Sequence, residues 1–155
     1  EMPPHHTGTG VPDADALMRQ AHRALEEGGV DRALRMRKQA VTLLEGRLGA
    51  HHLTTAMLRL VFLDTYCEHQ QSAAEELLAE DLTMEVERSL APFATAAPSA
   101  SLSEVHLMAL ASTSRNLRSA GHWEDALKVG ECAVRVCTQL HGEGAQRTAF
   151  VRFDC

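Results

Sequence analysis

The strongest constraint on this chain is an internal repeat with a constant spacing of 93 residues. Residues 28–59 and 121–152 align without a gap and are identical at nine positions. Composition alone would give roughly two or three such identities. Because glycines bound a helix-length stretch in both copies, the self-similarity indicates a helical repeat. The identical pairs are Gly28/Gly121, Ala33/Ala126, Leu34/Leu127, Ala40/Ala133, Val41/Val134, Gly49/Gly142, Thr55/Thr148, Ala56/Ala149 and Arg59/Arg152.

Small residues recur where two antiparallel helices would cross. Ala33 and Ala40 lie two helical turns apart on one face, and Ala126 and Ala133 do the same. Small side chains at the crossing point let the helix axes approach closely. The neighbouring pairs Leu34/Val41 and Leu127/Val134 are therefore predicted to widen the same buried stripe.

Turn residues recur at both ends of the repeated helix. Gly28 and Gly121 are predicted to end the preceding helix in the left-handed conformation, and Gly49 and Gly142 to end the second helix. We expect Val30 and Trp123, two residues after the first glycine, to be apolar plugs over the turn. Thr55 and Thr148 fall in the first turn of the next helix, where a hydroxyl can accept a hydrogen bond from a free N–H.

These residues resemble a known family. The pattern Gly121-x-Trp123-x-x-Ala126, followed by Ala133, is similar to a tetratricopeptide repeat (TPR). The turn Leu48-Gly49-x-x-His52-x-x-Thr55-Ala56 resembles the longer repeat of kinesin light chains, and the later copy has Ala145 at the histidine position. The resemblance covers two repeats and implies a scaffold that binds other proteins. It also places the His52 imidazole where it can bond backbone groups of the turn.

The predicted fold is all-α, an antiparallel helix-pair repeat forming a TPR-like right-handed superhelix. We expect about three helix pairs plus a partial seventh helix. An apolar helix at 53–68 has the composition of an element buried on several sides. The predicted organisation is a flexible N-terminal arm at 1–12 and a helical domain at 13–155, made of repeat one at 13–50, a degenerate middle repeat at 53–91, a linker at 91–101, repeat three at 102–142 and a partial repeat at 145–155.

Composition and charge bound the function. The chain has 155 residues, 45% hydrophobic but only 4% aromatic, which favours helices packed on helices. A net charge of −6 argues against nucleic acid as the main partner. The four cysteines, Cys67, Cys132, Cys137 and Cys155, lack metal or disulfide spacing and indicate buried thiols in a reducing intracellular compartment. We expect that compartment to be the cytoplasm or an organelle matrix, which includes the mitochondrial matrix if a presequence has been removed. The sequence contains no membrane-spanning run.

The resemblance also suggests where a partner would bind, because the first helix of each TPR pair lines a concave groove. Such a groove would carry His22 and Arg23, then Arg59, Arg115, Asn116, Arg118 and Arg152. A row of Arg and Asn side chains can bind a carboxylate-bearing or acidic segment of a partner protein. The alternative is that these arginines are simply solvated.

Other functions have weaker support. The pairs His5-His6 and His51-His52 lack a third and fourth metal ligand at suitable spacing, and no catalytic or nucleotide-binding motif occurs. We therefore expect no catalysis, cofactor, metal or small-molecule substrate, and partners that are other protein subunits of a larger assembly. Two alternatives stay open: an RNA-associated helical repeat that uses the basic segment 32–47, and a regulatory domain of an enzyme whose catalytic part lies outside this chain.

Overall fold

A computed structural model describes residues 9–69, 79–94 and 102–142. The described residues form six α-helices and no strand, which confirms the all-α prediction. The helices are α1 (Pro12–Glu26), α2 (Val30–Leu48), α3 (Leu53–His69), α4 (Ala79–Ala94), α5 (Glu104–Ser119) and α6 (Trp123–His141). The predicted partial repeat at 145–155, with Thr148, Ala149, Arg152 and Cys155, lies outside the described residues.

The hairpins α1–α2 and α5–α6 have the same turn. In the first, the N–H of Gly29 donates to the Ala24 carbonyl (2.7 Å), and in the second the N–H of His122 donates to the Leu117 carbonyl (2.9 Å). The intervening glycines Gly28 and Gly121 have φ of 81° and 87°. This bond pattern is the Schellman motif, in which a left-handed residue ends a helix. The predicted role of the two glycines is therefore confirmed.

The ends of the second helices also match. Gly49 after α2 has φ 98° and ψ 153°, and Gly142 after α6 has φ 87° and ψ 155°. Both helices contain 19 residues. The small residues that we predicted at the helix crossings, Ala33, Ala40, Ala126 and Ala133, are all buried. The two copies of the repeat thus share their local backbone geometry.

Helix α3 lies between the two hairpins. It packs on α2 on one side and on α4 and α5 on the others. Its residues Leu60 and Leu63 join a core that also contains Leu82 of α4, Leu110 of α5 and Val129 of α6. Two further residues of α3, Met57 and Leu58, cluster instead with apolar side chains of α1 and α2. The prediction that this apolar helix is buried on several sides is confirmed.

The chain before α1 differs from the predicted flexible arm at 1–12. Pro12 opens the helix, as expected, but Val11 is buried and belongs to the core. The backbone N–H and the hydroxyl of Thr9 both donate to Asp15 Oδ1, each over 2.8 Å. Because these bonds attach Thr9 to the first turn of α1, residues 9–12 are part of the helical domain. The rest of the predicted arm lies outside the described residues.

The predicted linker at 91–101 is also partly wrong. Helix α4 continues through Pro92 to Ala94, and Phe93 is buried against His106 of α5 with ring centroids 5.7 Å apart. Because proline has no N–H, the helix continues through Pro92 without a backbone bond from this residue to the Arg88 carbonyl. Residues 95–101 lie outside the described part of the chain. Helix α5 then begins after Ser103, whose backbone N–H donates to His106 Nδ1 (3.1 Å).

Candidate interaction surface

The predicted groove residue Arg59 lies inside the protein. Its side chain is 1% exposed. The guanidinium donates to the Ala50 carbonyl (2.8 Å) and to Glu45 Oε1 (2.5 Å), and its Nε lies 3.8 Å from Glu85 Oε1. One arginine of α3 therefore joins α2, the turn after α2, and α4. A charge at this depth requires such partners, since removing an ion from water without them is costly.

The prediction that Arg59 lines an open groove is consequently wrong. The prediction fails because the Arg59 guanidinium is buried and already bonded to Glu45 in a charge-assisted pair. A partner protein cannot reach it. The repeat-equivalent Arg152 lies outside the described residues. Two of the seven predicted groove positions, Arg59 and Arg152, thus give no described surface for binding.

Asn116 is also engaged within the chain. Its side-chain amide donates to Asp64 Oδ1 of α3, and the Ser112 hydroxyl donates to the same carboxylate at 2.9 Å and 3.0 Å. The neighbouring Arg37 of α2 donates to Thr65 Oγ1. These contacts form a polar seam along α2, α3 and α5. Asn116 therefore holds α5 against α3, and its amide is not an open binding group.

Burial sets the ionisation of this seam. Desolvation raises the pKa of Asp64, while the hydrogen bonds from Ser112 and Asn116 and the charge of Arg37 oppose that rise. Desolvation also lowers the pKa of Arg37, against the attraction of Asp64 and Glu68. In this half-buried site, the charge of each group favours the ionised form of the other and so opposes the effect of desolvation. This arrangement is a structural tie between helices.

Of the remaining predicted groove residues, His22 and Arg23 are exposed on α1, and α5 carries the other two. Arg115 is exposed and Arg118 is half-buried. Two apolar side chains share the outward face with Arg115: Val105 is 41% exposed and Met108 63%. Met108 and Arg115 are seven residues apart, which is two turns on the same side of a helix. We call Val105, Met108 and Arg115 the α5 face.

Two residues of α6 are exposed although the repeat predicts them to be covered. Trp123 was expected to cover the turn, but it is 65% exposed. Leu127 was expected in the buried stripe, but it is 58% exposed, whereas its repeat equivalent Leu34 is 8% exposed. Among the described helices α6 packs on α4 and α5. Neither of these covers the side of α6 that carries Trp123 and Leu127.

In the turn between α2 and α3, the His52 imidazole bonds a backbone group, as the resemblance implies. The backbone N–H of Thr54 donates to His52 Nδ1 (3.1 Å), so the imidazole caps α3. Thr55 acts differently from the prediction, because its hydroxyl donates to the Gly49 carbonyl (3.0 Å). Thr55 thus ties the start of α3 to the end of α2.

The described residues give no support for a metal or a reactive thiol. They include no group of three or more His, Cys, Asp or Glu side chains placed to hold a metal ion. Burial raises the pKa of Cys67 and of Cys132 to about 11, which keeps both thiols protonated at neutral pH. Cys137 is buried as well. The prediction of buried thiols is confirmed for these three cysteines.

One signal in the sequence could have indicated the buried charges. Arg59 and Asp64 are the charged residues inside the otherwise apolar stretch 53–67. A charge in a helix that is buried on several sides requires a partner from another helix. The partners Glu45, Glu85 and Asn116 are 14, 26 and 52 residues away from the residues they contact. No local pattern identifies contacts over such separations.

The chain was compared with protein-family models, curated proteins and solved structures, and none of them matches it. Within the described ranges, no helix combines the length and the apolar character that crossing a membrane requires.

Proposed function

We propose that this chain is a non-catalytic scaffold that binds other protein subunits of a larger assembly through a TPR-like helical surface. The observation that carries the proposal is the α5 face, where Val105 and Met108 lie exposed beside Arg115. Exposed apolar side chains next to an arginine are typical of sites that bind another protein.

The repeated hairpin supports the TPR-like part of the proposal. Two hairpins with the same turn and the same second-helix length, joined through α3, are the units that a helical-repeat superhelix would stack. Such a stack gives a rigid surface, so a partner loses little binding energy to ordering of the scaffold.

The α5 face suggests the chemistry of the partner segment. Val105 and Met108 would contact an aliphatic side chain, and the Arg115 guanidinium would bind a carboxylate about two helical turns away. Arg118, half-buried in the last turn of α5, would extend the positive charge. The partner segment is therefore an apolar and acidic peptide or helix.

Reversing the two charges tests this proposal. The double variant Arg115→Glu and Arg118→Glu should lose partners that crosslinking mass spectrometry identifies on the native assembly. Met108→Asp should lose the same partners, because it places a carboxylate in the apolar contact. Arg35→Glu with Arg47→Glu is the matched control, since both arginines are exposed on α2 and the charge change is equal.

The outcomes separate the candidate functions. Unchanged crosslinks in both α5 variants would remove the α5 face as the binding site. Loss of RNA in the α2 control variant, with steep dependence on salt, would instead favour the RNA-associated alternative.

A further inference from the structure

The uncovered side of α6 carries an apolar stripe beside a charged one. Trp123, Leu127 and Val134 lie at spacings of four and seven residues, and are therefore on one side of the helix. Trp123 and Leu127 are largely exposed and Val134 is partly exposed. On α2 the equivalent of Val134, Val41, is buried in a cluster with Met57 and Leu58 of α3. We call Trp123, Leu127 and Val134 the α6 stripe.

The charged residues next to this stripe alternate in sign along the helix. Glu124, Lys128, Glu131 and Arg135 are all exposed and follow one another at spacings of four, three and four residues. Their signs run negative, positive, negative, positive, so the sign reverses about the midpoint between positions 129 and 130. Lys128 also forms an exposed ion pair with Glu87 of α4 (3.3 Å), which is a weak contact.

From this order we infer that α6 binds α6 of a second copy of this chain, antiparallel and about a two-fold axis. In such a pair each flank of one helix meets the same flank of the other helix. Glu124 then faces Arg135 of the second copy and Lys128 faces Glu131, so all four contacts are between unlike charges. In a parallel pair this charged flank would meet the opposite flank of the second helix, so these four contacts would not form. The apolar contact places Leu127 near Val134 of the second copy.

The other end of the molecule does not offer an equivalent surface. Among the described residues, the large hydrophobic side chains that are exposed lie on α4, α5 and α6, and none lies on α1 or α2. A head-to-tail stack of copies would need an apolar face on α1 or α2 to meet the α6 stripe. The self-complementary arrangement needs only α6 and closes as a dimer.

The test measures the oligomeric state of the full chain by sedimentation equilibrium. The wild type should dimerise, and Leu127→Asp should raise the dimer dissociation constant by at least about tenfold. Met108→Asp is the matched control, because Met108 is equally exposed but lies on α5; this variant should dimerise like the wild type. Circular dichroism of each variant verifies that the helices are retained.

Charge reversal tests the antiparallel register. Glu124→Arg alone should raise the dissociation constant roughly three- to tenfold, since two attractive contacts per dimer become repulsive. Adding Arg135→Glu restores unlike pairs, so the double variant should return to wild-type affinity. If the double variant is as weak as the single one, the register is wrong.

The fluorescence of Trp123 gives a second readout, because it is the only tryptophan in the chain. Its quenching by acrylamide should decrease as protein concentration rises and the dimer forms. A wild type that stays monomeric would overturn the proposal. Concentration-independent protection of Trp123 in a monomer would overturn it in favour of a cover from another segment of the same chain. A dimer whose Trp123 stays accessible would assign the interface to another surface.

Discussion

The two hairpins differ at two equivalent positions of their second helices. Leu34 of α2 is buried, whereas Leu127 of α6 is exposed. Glu45 of α2 accepts a hydrogen bond from Arg59 of α3, whereas the equivalent residue of α6 is Thr138. The turns of the two hairpins nevertheless have matching dihedral angles and hydrogen bonds. Local geometry and tertiary surroundings are therefore determined by different residues. The glycines and alanines that the two hairpins share determine the shape of the hairpin. The residues on the outer side of the second helix, which differ between the hairpins, determine which other helix packs on it.

The largest difference between the hairpins should lie in the Arg59 contact. Glu45→Thr gives α2 the residue that α6 has at the equivalent position. It removes the carboxylate closest to the buried Arg59 guanidinium. We expect the free energy of unfolding in urea to fall by about 2–3 kcal/mol, somewhat less than for a fully buried pair because Glu85 remains nearby. Thr138→Glu is the matched control and should change the stability by less than about 0.5 kcal/mol. Equal effects at the two positions would contradict the comparison.

The same truncation at equivalent leucines should give unequal costs. Leu34→Ala removes a buried side chain and should destabilise the protein by about 2 kcal/mol. Leu127→Ala removes an exposed side chain and should change the stability of the monomer by less than about 0.5 kcal/mol. Thermal unfolding at a low protein concentration measures both. If both truncations were costly, Leu127 would be covered in solution even in the monomer.

The two turn glycines should behave alike. Gly28→Ala and Gly121→Ala each force a Cβ into the left-handed region, although nothing lies within 4 Å of the added carbon. We expect each to cost about 1 kcal/mol from backbone strain alone. Gly46→Ala is the control within α2, where alanine should stabilise the helix by about 0.5–1 kcal/mol. A difference of more than about 1 kcal/mol between the two turns would show that their equivalence is only geometric.

The smallest effect concerns pH and is specific to the second hairpin. Burial, and to a lesser extent the nearby His52, lowers the pKa of His106 from its usual 6.5. As the pH falls through that value, the unfolded chain binds a proton that the folded protein does not, so stability decreases. His106→Gln keeps an acceptor for the Ser103 N–H and removes this titration. Urea midpoints between about pH 8 and pH 5 should fall less in the variant than in the wild type.

The elements that follow from local chemistry could be predicted from the sequence. Helix ends at Gly28, Gly49, Gly121 and Gly142 lie where the repeat placed them, because a left-handed residue is a local requirement. The burial of α3 followed from its apolar composition. The cap by His52 came from the resemblance to a family, and its bond to Thr54 agrees with it.

The candidate surface was harder to predict, for a physical reason. Whether an arginine on a helix is solvated or buried depends on which other helix lies over it, and Arg59 obtains its partners from α2 and α4. Trp123 and Leu127 show the converse, since an apolar residue stays exposed when no described helix covers its side of α6. The identity of the overlying helix is not encoded near either residue.

Helix α3 contacts α2, α4 and α5, and it is the main connection between the two hairpins. A substitution on the outer side of α1 or α6 disturbs one hairpin, but a substitution in α3 disturbs the packing on both sides at once. In a saturation mutagenesis of this chain, α3 should therefore tolerate the fewest replacements. Substitutions on the outer sides of α1 and α6 can change what these surfaces bind without loss of the fold.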